Sequence, residues 1–297
     1  MKEKVEFRDI FSNSKEKLLC LEVNPPIGTD CDKIFKRLDK CLEGLDFFNI
    51  TDSALAKMRM SAIPFAYILK EKFNTEPLIN MSCRDRNLIA LQGDILSCTM
   101  LGLNSIIALT GDAVSVGDEP DRKGVFEVNS IGLLNMIAKL NSGETLAGKK
   151  LDGCSSITPG VVVNPNAKNY QAEIRKLEKK KKAGAVYALS QPVFDIDVAK
   201  TFFKEASIIG LPIFLGLLPI KTGQGAMAIN KIPGIKVSQT MLDMAEKDPK
   251  IDLSNFSFDL CSAIIDAVKD YVCGYHIISG ANPNLGLELL EKVKQKV

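Results

Sequence analysis

The chain has 297 residues, 46% hydrophobic and 25% charged, with a formal net charge of +2. This balance suits a soluble globular chain with a large apolar core, and basic residues offset almost one for one by acids leave no footprint for nucleic acid or an anionic membrane. No segment approaches the roughly 18 apolar residues of a spanning helix, and the polar start MKEKVEFRDI lacks a signal-peptide core, so a cytoplasmic location is expected.

Eight short apolar runs follow in order, at 18–23, 47–50, 77–81, 105–109, 157–163, 185–189, 212–217 and 272–278, with amphipathic helical stretches between most of them. Strands alternating with helices pair in parallel, and eight such units in this length predict an α/β fold, a closed (β/α)8 TIM barrel occupying 1–297 as a single domain. The active site of such a barrel lies at the C-terminal ends of its strands. Glu22, Thr51, Asp112 and Gln191 fall there.

Glu22, in LEVNPP, stands near the end of the first run, just before two prolines that halt the ladder. Partial desolvation raises a carboxyl pKa and can make it a proton donor near neutrality; a structural ion pair is the alternative reading. Asp112 closes IIALTGD, where Gly111 lets backbone approach a ligand and the carboxylate can accept hydrogen bonds from a flat heterocycle. A plain strand-to-loop turn would look the same. The stretch 113–124 (AVSVGDEPDRKG) is a long loop of the kind that carries function or disorder. The tract KLEKKKK at 176–182 reads as a solvated helix face or as a phosphate contact. Ser190-Gln191-Pro192 ends the sixth run with an amide that can read a pterin or flavin edge without charge, or else serve as a turn contact.

The eight cysteines, Cys20, Cys31, Cys41, Cys83, Cys98, Cys154, Cys261 and Cys273, show no C-x2-C spacing, and the single histidine, His276, is distant from most of them in sequence. No metal site is expected, and free thiols in this number fit a reducing compartment. His276, on the last strand, reads as structural or cleft-lining rather than as a catalytic base.

The ordered set LEVNPP, FNITDS, LINMSCRDRNLIALQGDI, IIALTGD, VNPNA, KKAGAVYALSQPVFD and GLLPI resembles methylenetetrahydrofolate reductase over roughly 15–235, and most of all the form fused to, or encoded near, homocysteine methyltransferases. That resemblance implies an FAD enzyme that passes hydride from NAD(P)H to 5,10-methylenetetrahydrofolate by a ping-pong relay, yielding 5-methyltetrahydrofolate. It implies Glu22 as the acid at N10, Asp112 at the flavin pyrimidine edge and the pterin, and Gln191 as a substrate contact. For FAD, the matching positions are Thr51, Asn80, Thr110, Gly111, Asp112, Val128, Asn129, Asn164, Glu173, Lys176, Lys179 and Lys180. Asn80 and Thr110 stand where better-studied bacterial members carry histidine and arginine, which shifts the diphosphate onto backbone amides and lysines. The SGANPN segment also departs from the family's usual ending. The alternatives are a catalytic subunit dependent on an accessory electron-transfer partner, a flavin-poor or non-catalytic folate-binding relative, and another flavin or pterin barrel enzyme such as a methyltransferase. The partners the resemblance admits are a second copy of the chain or an accessory electron-transfer or methyltransferase subunit. No G-x-G-x-x-G segment opens a helix, so the nicotinamide donor is not written in a separate dinucleotide fold.

Overall fold

The computed structural model describes residues 7–14 and 16–296. Its strands are β1 (Leu18–Val23), β2 (Phe47–Ile50), β3 (Glu76–Ser82), β4 (Ser105–Leu109), β5 (Thr158–Val163), β6 (Tyr187–Pro192), β7 (Ile213–Leu217) and β8 (Gly274–Ile277). The helices are α1 (Ile10–Asn13), α2 (Asp32–Leu38), α3 (Ala62–Phe73), α4 (Leu88–Met100), α5 (Ser130–Asn141), α6 (Tyr170–Lys182), α7 (Ile196–Ser207), α8 (Gly223–Asn230), α9 (Gln239–Lys247), α10 (Ser254–Val268) and α11 (Pro283–Lys294). The strands run β1 to β8 in order and close into a barrel, the (β/α)8 architecture expected from the alternation of runs. Helical crossovers explain it: parallel neighbours cannot be joined by a tight turn, and each intervening helix covers the outer face of the sheet.

Packing divides the chain into two compact units, one built mainly on Glu22–Val162 with Lys179–Tyr187, the other on Phe11–Leu21, Val163–Glu178 and the chain from Ala188 onward. In the first, β3 pairs with β2 (Phe47 opposite Glu76) and with β4 (Leu78 opposite Ser105), and β4 pairs with β5 (Ser105 opposite Thr158). Its interior is plugged by Tyr187, whose hydroxyl lies 2.7 Å from Ser105 Oγ. A Cβ at Gly160 would fall 2.3 Å from Tyr187 Cζ, so the missing side chain is what admits the ring. In the second unit, β7 pairs with β6 and β8, and β8 with β1 (Leu18 opposite Gly274). There α8 and α9 add a hairpin whose core includes Ile220, Ala226, Met241 and Ala245. Thr222 and Ser238 cap the two helices by accepting from Gly225 N and Met241 N.

β1, β2 and β4 begin and end where the apolar runs do. β6 does not: it begins at Tyr187 rather than 185 and runs on to Pro192. A register shift between Leu189 and Pro192 accommodates the polar residues, and Ser190 Oγ accepts the Gly216 N–H at 2.8 Å. β8 starts at Gly274 rather than 272, shortly after a 3-10 turn at Lys269–Tyr271 that the apolar pattern could not reveal.

Candidate active site

The first unit gathers several of the expected residues at the C-terminal ends of β1 to β4. Glu22 is half-buried between buried Leu21 and Val23, so strand alternation turns its side chain to the opposite face from theirs. At the end of β2, Asn49 is buried and its amide donates to Leu78 O (3.0 Å) and Asn80 Oδ1 (2.9 Å). This fixes the orientation of the Asn80 amide: its oxygen is taken and its Nδ2 remains the group to offer. Thr51, also buried, donates through Oγ1 to Asn24 Oδ1 at 2.8 Å.

Asp52, one residue on, is nearly buried and accepts from Ser82 N (2.8 Å), Arg86 Nη1 (2.7 Å) and Arg86 Nη2 (3.2 Å). Arg86 Nε reaches Asp94 on α4 at 2.8 Å. One guanidinium thereby ties the ends of β2 and β3 to the following helix. Arg84 is 3% exposed; its Nη2 donates to Ser53 O (3.0 Å) and pairs with Asp85, and its backbone N–H donates to Ser82 Oγ (3.1 Å).

After β4, the Thr110 hydroxyl accepts the Ser130 N–H at 3.1 Å. Gly111 adopts φ +99°, and a Cβ there would lie 2.3 Å from Ser82 Oγ and 2.9 Å from Arg84 Cβ. The glycine is thus required by its own neighbours, whatever approaches from outside. We expect Gly111→Ala to lose about 2 kcal/mol or more through combined strain and crowding, read as a melting temperature several degrees lower; an unchanged transition would contradict this packing. Asp112 is exposed, and its Oδ2 accepts the Leu55 N–H at 2.7 Å while its Oδ1 makes no hydrogen bond among the described residues. Val128 packs against Gly132, where a Cβ would meet its Cβ at 2.9 Å. Asn129 is the N-cap of α5, its Oδ1 accepting from Ile131 N and Gly132 N. Lys179 is exposed, but Lys180 is 4% exposed and its ammonium donates to Val162 O at 2.5 Å. The basic tract therefore splits into lysines facing outward and one turned into the fold.

In the second unit Gln191 is half-buried on β6, inside the register shift. Asn164 Oδ1 accepts from Asn166 N (2.9 Å), and its backbone N–H donates to Glu173 Oε1 (3.2 Å). Gly234 (φ +86°) crowds the Asn164 amide so closely that a Cβ would lie 2.8 Å from its Nδ2. Lys176 is 55% exposed and sits 3.7 Å from Glu173. His276 on β8 is buried with neither ring nitrogen hydrogen-bonded among the described residues, and burial pulls its pKa down to about 3. It is neutral at pH 7, with one ring N–H but no imidazolium charge to act as an acid. Burial likewise pushes the Cys83 thiol up to about 11, which keeps it a protonated, inert neighbour of the site.

Sequence reasoning passed over Asn49, Asp52, Arg84 and Arg86. The signal was present in MSCRDRN, two arginines directly after a strand, but Ser53 and Asp52, which they also bind, lie 31 and 34 residues back, and only pairing of β2 with β3 brings them together.

The family model for methylenetetrahydrofolate reductase matches residues 6–293. The chain belongs to the methylenetetrahydrofolate reductase family. The resemblance read from seven ordered motifs is borne out. Among methylenetetrahydrofolate reductases, a probable NADPH form of Caenorhabditis elegans is 24% identical over 243 residues, 79% of this chain and 35% of that protein. The 5,10-methylenetetrahydrofolate reductase of Pectobacterium carotovorum subsp. carotovorum is 23% identical over 262 residues, 84% of this chain and 82% of its own length. The chain thus spans about a third of the nematode protein and most of the bacterial one. A solved structure described as an uncharacterized protein from Clostridium thermocellum that binds two copies of 5-methyl-5,6,7,8-tetrahydrofolic acid shares the fold, with a TM-score of 0.72 at 14% identity over 98% of this chain and 99% of that one.

Proposed function

We propose that this chain reduces 5,10-methylenetetrahydrofolate to 5-methyltetrahydrofolate, with FAD as cofactor and NAD(P)H as electron donor in a ping-pong relay. The observation that carries this reading is Asp112 at the end of β4, exposed, with one carboxylate oxygen anchored on Leu55 N and the other open. An anchored acceptor of that kind suits the N–H edge of a flavin or pterin ring.

When bound, FAD supplies a two-electron carrier that takes hydride from the nicotinamide and gives it to the methylene carbon. Asn80 would offer its Nδ2 to the flavin ring system, since Asn49 already holds its oxygen. Thr51, Thr110 and Gly111 would line the same strand ends, with Val128 and Asn129 shaping the loop that follows β4; Asn164 and Glu173, in the other unit, are the further positions that the resemblance assigns to the cofactor. Lys176 and Lys179, both exposed, fit the charge of a diphosphate, whereas Lys180 is engaged at Val162 O. Gln191 would contact the pterin.

Glu22 acts on the folate. The closed five-membered ring accepts hydride poorly until N10 is protonated, the N10–methylene bond opens and an iminium forms at N5. A half-buried carboxylic acid on β1 is suited to hold that proton, directly or through water. The Asp112 carboxylate would stabilise the cationic pterin and oppose negative charge on the reduced ring.

Titration of the flavin-free protein with FAD, followed by flavin fluorescence, tests the cofactor: saturable binding at micromolar concentrations is expected. Asp112→Asn should slow the folate half-reaction and make the bound flavin easier to reduce. No saturable binding, or unchanged half-reactions and potential in the variant, would overturn the reading.

A further inference from the structure

The loop after β2 is strained. Ser53 (φ 46°), Leu55 (φ 55°) and Ala56 (φ 52°) are all left-handed, and none is glycine. A side chain in that region crowds its own backbone, and Leu and Ala have no polar group to compensate locally. Such conformations persist only where surroundings over-determine them.

Four hydrogen bonds do so here. Asp112 Oδ2 accepts the Leu55 N–H (2.7 Å), Asp118 Oδ2 accepts the Met58 N–H (2.9 Å), the Asp118 N–H donates to Ala56 O (3.2 Å), and Arg84 Nη2 donates to Ser53 O (3.0 Å). Gly117 makes the close approach possible, since a Cβ there would lie 2.0 Å from Ala56 O. Two loops, one after β2 and one after β4, are therefore locked together at the carboxylate that the proposed reaction needs.

We propose that the 113–118 segment is a brace, and that Gly117 and Asp118 are positioning residues for Asp112. They hold 53–56 in its left-handed form, so that the Leu55 N–H fixes one oxygen of Asp112 and keeps the other presented to the ring of a bound flavin or pterin. Without the brace the loop relaxes, Leu55 N withdraws, and the Asp112 carboxylate is free to rotate. Neither brace residue touches the ligand. The inference rests on the reading of Asp112 as a ring-binding group.

The test compares wild type, Gly117→Ala, Asp118→Ala and Asp118→Asn by amide hydrogen exchange at Leu55 and Met58 in the ligand-free protein, and by FAD titration. Asp118→Ala removes one hydrogen bond, and exchange at both amides should quicken about fivefold with a comparable loss of FAD affinity; Gly117→Ala, which pushes the two loops apart, should lose at least as much. Asp118→Asn keeps an acceptor for Met58 N and should match wild type. Adding Ala56→Gly to Asp118→Ala should recover part of the affinity, because glycine holds the left-handed form without strain, a rescue that a general loss of stability would not show. Unchanged exchange in Gly117→Ala and Asp118→Ala, or faster exchange with unaltered affinity, overturns the brace. If wild type itself binds no FAD, the flavin reading fails, and the exchange arms alone decide whether the loops are locked.

Discussion

Glu22→Gln is expected to slow reduction of methylenetetrahydrofolate by about 10² to 10⁴, the usual contribution of a positioned general acid, while the rate of flavin reduction by the nicotinamide stays close to that of wild type. The asymmetry follows from where a proton is needed. Hydride transfer from a nicotinamide to a flavin requires no protonation of a leaving nitrogen, whereas opening the folate ring does. Glutamine preserves the shape of the side chain and its place on β1, between Leu21 and Val23, but it cannot release a proton. Anaerobic rapid mixing separates the two half-reactions. Equal losses in both would assign Glu22 to folding or to cofactor binding instead, and no loss in either would remove it from the mechanism.

Asp52→Ala is expected to cost about 3–5 kcal/mol of stability, the range for breaking a buried ion pair by removing one partner. The carboxylate is 6% exposed and the Arg86 guanidinium 16%. Its removal strands the Ser82 N–H and leaves Arg86 only Asp94, itself 35% exposed, as an ionic partner, with a long contact to Ser82 O (3.5 Å). Asp52→Asn, which retains an acceptor of nearly the same shape, should cost distinctly less. The same substitution should weaken FAD binding, because the ends of β2 and β3 that carry Thr51 and Asn80 lose their common anchor. Denaturant unfolding of the variants measures the first effect. A loss below about 1 kcal/mol, the size of an exposed pair, would show that the network is not a structural anchor.

The barrel was legible because apolar runs separated by amphipathic stretches have few other solutions; β1, β2 and β4 match their runs residue for residue. β6 was less legible, since Ser190 and Gln191 read as the end of a strand when the register shift at Gly216 lets the strand continue through them. Their places at strand ends marked out Glu22, Asp112 and Gln191, and the resemblance gave them roles, but neither pointed to what holds Asp112. Nothing in TDSALAKM announces left-handed backbone, because the usual marker, glycine, is absent from the loop and stands instead at Gly117, on the opposite side of the contact. Asp52 with Arg86, and Asp118 with Met58, are pairs made by strand order, some 34 and 60 residues apart, and no local pattern encodes them. In the tract at 176–182, composition could not separate Lys180, which turns inward to Val162, from lysines that stay in solvent.

The most direct measurement is a single-turnover one. The protein is loaded with FAD, reduced anaerobically with one equivalent of donor, and mixed with 5,10-methylenetetrahydrofolate. The flavin absorbance should return as 5-methyltetrahydrofolate forms in equal amount. A reduced flavin that persists with no folate product would contradict the proposed reaction.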